Sequence, residues 1–203
     1  MRSTILPCLL AASLSCLSAS ARTASLNKAS TQAEVQVATF QDRCRPIADL
    51  IARGEGTWDS VNRGYAGDTP RGIRSVTGKS FRDMSIEEVI WLQRGSIYTV
   101  GRYQMIPTTF KAAVKWSKVA WDAKLTNEVQ DKLFCTLLKY KRPSVAAYLN
   151  GGGNLNRALV ALAQEWACVE YNDGRGYYDG IAGNRASVSR HEASIALNAG
   201  RAL

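Results

Sequence analysis

Apolar residues recur at helical spacing along most of this chain. Ile47, Leu50 and Ile51 predict a helix over about 41–53, with Gly54 as its stop. Residues 56–80 break the period with recurrent glycine, Pro70, Asn, Asp and Arg, the composition of a loop or short hairpin. Ser85 and Glu88 form a capping box ahead of Val89, Ile90 and Leu92, and Gly95 is the expected end of that helix. Pro107 suits the first turn of a helix running to about Trp116. Thr126 caps the next one, which turns Val129, Leu133, Phe134 and Leu137 inward and ends at Pro143. A short helix near 144–149 breaks at Gly151-Gly152-Gly153, and Leu155, Leu159, Leu162, Ala163, Trp166 and Val169 resume the helical period. A Gly- and Tyr-rich loop (173–185) leads to Ser189 and Glu192, a second capping box for a last helix. Convincing alternation at period two is expected nowhere except within 56–80. The reading is a mostly α architecture with a loop-rich lobe over one side.

Length and ends sharpen this picture. At 203 residues the chain suits one domain with a sizeable core. Arg2, the apolar run Ile5–Leu17 and Ala19-Ser20-Ala21 read as a signal peptide over 1–21. Residues 22–40 are Ser-, Thr-, Ala-, Asn- and Gln-rich and read as a flexible lead-in, leaving 41–203 as the catalytic domain. No later stretch has the length of a membrane span, so stable membrane insertion is not expected. The 26 bases less Arg2 leave 25 against 17 acids, a net charge of +8 after the leader. In an exported chain, periplasmic or secreted, that balance points to the anionic cell wall rather than to nucleic acid. Cys8 and Cys16 leave with the leader, and the three remaining cysteines allow one disulfide whose partners stay open.

The candidate chemistry centres on Ile51-Ala52-Arg53-Gly54-Glu55-Gly56-Thr57. Ile51 lies a turn behind Glu55 and Trp58 follows it, and apolar neighbours favour a protonated carboxyl able to act as a general acid. Some fifty positions on, Val100-Gly101-Arg102-Tyr103-Gln104 offers a close-approach glycine and three polar side chains for a ligand. Trp58 is the stacking candidate, whereas Trp91, Trp116, Trp121 and Trp166 sit in helical patterns and read as core. Arg102 has two open readings, a substrate carboxylate or a structural acid as its partner.

The segment Gly101-Arg102-Tyr103-Gln104, with Glu55 upstream and Gln164-Glu165-Trp166-Ala167 and Gly176-Tyr177-Tyr178 downstream, resembles lambda-type phage lysozymes, which are lytic transglycosylases. The likeness covers roughly 41–200 and keeps its order along the chain. It implies an α+β lysozyme-like fold, a helical lobe and a loop or small-hairpin lobe with a cleft between. It also implies cleavage of the β-1,4 bond between N-acetylmuramic acid and N-acetylglucosamine in peptidoglycan, with Glu55 as the single catalytic acid/base. Tyr103, Gln104, Arg102 and Gly101 would belong to the substrate-binding floor, with Trp58, Tyr177 and Tyr178 meeting sugars. No metal or organic cofactor is needed for this chemistry. Hydrolysis rather than transglycosylation would require a second carboxylate, for which Asp59, Asp68 and Asp83 are candidates. Glycan strands are the expected partner, and an inhibitor or immunity protein stands beside them.

Two other functional classes are compatible with these residues. A cysteine peptidase or amidase acting on wall peptides would pair Cys44, Cys135 or Cys168 with His191, the single histidine. A non-catalytic wall-binding protein would keep the scaffold without the reaction. One histidine and scattered cysteines lack zinc-ligand spacing.

Overall fold

The computed structural model describes residues 37–64 and 67–203. The expected leader (1–21) and most of the expected lead-in (22–40) lie outside the described residues. Among the described residues the chain is mostly helical, with eight α-helices and one two-stranded antiparallel sheet. They run α1 (Phe40–Glu55), α2 (Arg74–Thr77), α3 (Ile86–Leu92), α4 (Pro107–Ser117), α5 (Asn127–Tyr140), α6 (Pro143–Leu149), α7 (Leu155–Ala163), β1 (Glu170–Asn172), β2 (Arg175–Gly176) and α8 (Arg190–Ala202).

Helix α5 is the centre of the fold. Leu133, Phe134, Cys135, Thr136, Leu137 and Leu138 are all buried in succession, which only a helix surrounded on every side achieves. Helices α1, α4 and α6 pack against it, and α8 lies along α1. The ends are written locally. Thr39 caps α1 with Asp42, Ser85 caps α3 with Glu88, and Ser189 caps α8 with Glu192, each a reciprocal capping box. Glu192 also takes a 2.8 Å ion pair from Arg53 of α1. The Ser189 N–H and the Arg53 guanidinium hold its carboxyl down at about 2.

Several expectations are corrected. Gly54 does not stop α1, which runs on through Glu55 to a cap at Gly56. The physical role of Gly54 is close approach, because a Cβ there would lie 2.6 Å from Cys168 Cβ. Pro143 does not merely end α5 but opens α6, since α5 stops at Tyr140. Helix α7 ends at Ala163, so Trp166 and Val169 are buried from a turn rather than from a helical face. Helix α3 ends at Leu92 and turns continue to Ser96, short of the expected stop. Strands form at Glu170–Asn172 and Arg175–Gly176, too short for alternation to register in the sequence. Among its described residues the 56–80 stretch carries α2 and one isolated bridge, Asn62 to Asp68. Trp166 is core at 4% exposure, but Trp91 and Trp121 are 63% and 58% exposed. Trp91 lies on the outer face of α3, and Trp121 stands in the turn between α4 and α5, outside any helix.

Candidate active site

Glu55 occupies the last residue of α1, partly buried, with a glycine on each side. Those glycines let two other segments close on it. On one side, Cys168 and Ser187 lie where a Gly54 side chain would have to go. On the other, a Cβ on Gly56 would stand 2.7 Å from Ser60 Oγ and 3.7 Å from the Gln104 amide nitrogen. The Cys168 backbone N–H donates to Glu55 Oε1 at 3.3 Å.

This setting changes the acid. Desolvation raises the Glu55 pKa above the usual carboxylate range, and the Cys168 contacts offset part of that rise. The charge of Asp68 adds to the rise. The C-terminal end of a helix is also unfavourable for a negative charge. A carboxyl whose neutral form is favoured is what general-acid chemistry needs.

The 98–105 segment is fixed by backbone pairing. Val100 and Met105 exchange N–H and carbonyl bonds at 3.1 Å, closing a tight loop. Gly101 N–H donates to Ser60 O at 2.8 Å, and Tyr98 and Thr99 N–H both donate to Asn62 O. Gly101 has φ +70°, and a Cβ on it would fall 2.2 Å from Gln130 Oε1. Gln130, 4% exposed, accepts from Arg102 N–H at 2.9 Å and donates to Trp58 O at 3.0 Å. One buried amide thus ties the loop to the segment just after Glu55. Gln104 is itself left-handed at φ 46°, with its amide donating to Gly101 O and its oxygen bonded to Thr99 Oγ1.

Gln104 comes up to Gly56, the residue after Glu55, and Gly101 pairs with Ser60 of the same segment. Tyr103 is not on an open surface. It is 1% exposed, stacks on Phe134 at 4.3 Å, and bonds Asp131 through its hydroxyl, whose pKa burial pushes well above the ordinary tyrosine value. Arg102 meets structural acids, Asp49 at 2.6 Å and Asp131 at 3.5 Å, with its guanidinium 4.4 Å over the Trp58 ring. Trp58 therefore supports Arg102, partly buried beneath it. Tyr177 is 45% exposed and stands edge-on to both Tyr171 and Tyr178, while Tyr178 donates to Gln164 O at 2.8 Å. Glu165, beside Gln164, is buried and held by Lys141 and Arg142, both at 2.7 Å.

Of the three aspartates, Asp59 is fully occupied in the loop. It accepts from Ser80 Oγ at 2.7 Å, Phe81 N–H at 2.9 Å and Arg74 Nε at 3.3 Å. Asp83 sits in the turn before α3, where its carbonyl accepts from Lys124. Asp68, bonded by Asn62 Nδ2 at 2.9 Å, is the one whose charge reaches Glu55.

Cys44, Cys135 and Cys168 are free thiols and buried, whereas His191 is exposed in the first turn of α8. Among the described residues no cluster of three His, Cys, Asp or Glu side chains could hold a metal ion. No described helix is long and apolar enough to cross a membrane. Sequence reasoning weighed Cys168 only as a nucleophile and missed it as the neighbour of Glu55, and it missed Gln130. A cysteine after Trp-Ala and a glutamine on a helix carry no spacing signal toward residues seventy or more positions away. Compared with protein-family models, curated proteins and solved structures, the chain matches none.

Proposed function

We propose that this protein is an exported, lysozyme-like enzyme that cleaves the β-1,4 bond between N-acetylmuramic acid and N-acetylglucosamine in peptidoglycan. The observation that carries the reading is Glu55: a carboxyl at a helix end, shielded enough to favour its neutral form, beside the left-handed Gln104 loop. A mostly helical scaffold around a central buried helix is compatible with that family. In this reading Glu55 protonates the leaving oxygen. As carboxylate it then takes the proton from the muramic C6 hydroxyl, which attacks C1 and forms a 1,6-anhydro end without consuming water. Glycan contacts come from Gln104 and the exposed Tyr177, while Gly101, buried with its N–H and carbonyl both paired, joins Arg102, Trp58 and Tyr103 in bracing the loop from beneath. If water is the nucleophile instead, Asp68 is the carboxylate to activate it, because Asp59 is committed to the loop.

The cysteine-peptidase alternative has little support, since the three thiols are buried and His191 is exposed. Digestion of purified peptidoglycan, read by mass spectrometry of released muropeptides, tests the proposal. Products lighter by one water establish transglycosylation, and reducing muramic ends establish hydrolysis. No released glycan fragments from an active-folded preparation would sink both.

A further inference from the structure

We propose that Thr99 is a positioning residue for Gln104, its hydroxyl fixing the side-chain amide so that an N–H is presented to a ligand beside Glu55. The inference rests on the glycan-cleavage reading, and within it gives Gln104 the task of recognising an acceptor oxygen of the sugar. Three contacts build the device. The Asn62 backbone N–H donates to Thr99 Oγ1 at 2.9 Å. A hydroxyl has one proton, and Thr99 donates it to Gln104 Oε1. The Gln104 amide nitrogen donates in turn to Gly101 O at 2.8 Å.

The orientation of the amide follows from these partners. Gly101 O only accepts, so the Gln104 nitrogen must be the atom that meets it. Turning the amide over would set two carbonyl oxygens face to face and aim the Thr99 proton at an NH2 group. The second N–H of the amide has no partner among the described residues. Its nitrogen lies 3.7 Å from where a Gly56 Cβ would stand, and Gly56 follows Glu55. Gln104 is only half-buried, which leaves its amide within a ligand's reach.

The backbone by itself disfavours this geometry. Gln104 has φ 46°, a left-handed conformation that persists in a residue with a side chain where neighbouring contacts over-determine it. Val100 and Met105 close the loop's ends, whereas Thr99 grips the Gln104 side chain itself. The Tyr98 and Thr99 N–H groups both donate to Asn62 O, so Thr99 is anchored to the segment after α1 through its N–H and its hydroxyl together. A side chain already held in its bound orientation loses little freedom when the ligand arrives. Thr99 therefore acts on affinity, through Gln104 rather than by contact with the reacting atoms.

The experiment compares the full chain with Thr99→Val, Thr99→Ser and Gln104→Glu, and uses Gln104→Met to assign the side-chain amide in the proton–nitrogen NMR spectrum. Valine keeps the shape and removes the hydroxyl, so the Gln104 amide protons should shift toward those of free glutamine. KM for soluble peptidoglycan oligosaccharides should rise about two- to tenfold at nearly unchanged kcat. Serine keeps the hydroxyl and should preserve both readouts. Gln104→Glu keeps the size without an N–H and should raise KM at least as far. The backbone amides in the same spectra show that each variant is folded. Unmoved Gln104 amide signals in Thr99→Val would overturn the proposal, as would a fall in kcat with KM unchanged. So would a serine variant no better than valine, since the hydroxyl would then not be the cause. A Gln104→Glu variant with wild-type KM would overturn the donor assignment. A wild type with the expected amide signals that cleaves no glycan would overturn the functional reading instead, and the Thr99→Val spectrum would still decide whether Thr99 holds Gln104.

Discussion

Glu55 carries consequences that a single substitution exposes. Glu55→Gln keeps the shape and removes the acidic proton, so cleavage of peptidoglycan should fall to background while the circular dichroism spectrum is unchanged. The same variant makes a stability prediction. The folded-state pKa of Glu55 is raised by desolvation, so its neutral form is the one the fold favours. That favourable contribution is complete below the ordinary glutamate value of about 4.3 and is lost as pH rises through the raised one. The glutamine variant has no such loss. Urea midpoints should therefore diverge in its favour between acid and neutral pH, and parallel midpoints would show that Glu55 is solvated. The residue scale also separates roles by burial. Tyr103 and Arg102 lie in the motif most suggestive of ligand contact, yet both are spent on internal partners.

At the scale of elements, the end of α1 and the 98–105 loop are joined by close approaches. Alanine normally gains about 1 kcal/mol over glycine inside an exposed helix. Gly54→Ala should reverse that sign, losing about 1–3 kcal/mol by overpacking against Cys168, with activity falling alongside. A gain in melting temperature would mean that α1 and Cys168 separate easily. Gln130→Ala should also cost about 1–3 kcal/mol, because Arg102 N–H and Trp58 O both lose their partner. Denaturant unfolding measures that cost, and the muropeptide yield should fall further than stability alone explains, since Gly101 and Gln104 are released with it. The caps were plain in the sequence at Ser85, Thr126 and Ser189, because each is a contact across three residues. The extent of α1 was not. Whether a glycine ends a helix or admits a neighbour depends on Cys168, over a hundred positions downstream.

For the whole molecule, charge and cysteine chemistry make the testable statements. With a net charge of +8 after the expected leader, retention on wall sacculi should weaken steadily as salt rises from about 0.05 to about 0.5 M. Salt-independent retention would point to contacts other than charge. The three described cysteines are buried, so a thiol-blocking reagent applied to the folded protein without its expected leader should leave cleavage unchanged. Inactivation by the reagent would favour the peptidase reading. Trp91, exposed on α3, shows the limit of periodic reasoning at this scale. Apolar spacing says that a face exists, and only the arrangement of all elements says whether another one covers it.

The sequence by itself determined the helical class, the capping boxes at Ser85 and Ser189, the proline start of α4 and the choice of Glu55 as the acid to examine. Those features are local, written in residues within a turn or two of one another. Tertiary structure decided which neighbours that acid has. It placed Cys168 against Glu55 and Asp68 within reach of its charge, set Gln130 beneath the 101–104 loop, and turned Tyr103 into the core. The reason is physical: burial, desolvation and close approach are properties of surfaces that meet in space, and residues far apart in the chain supply them.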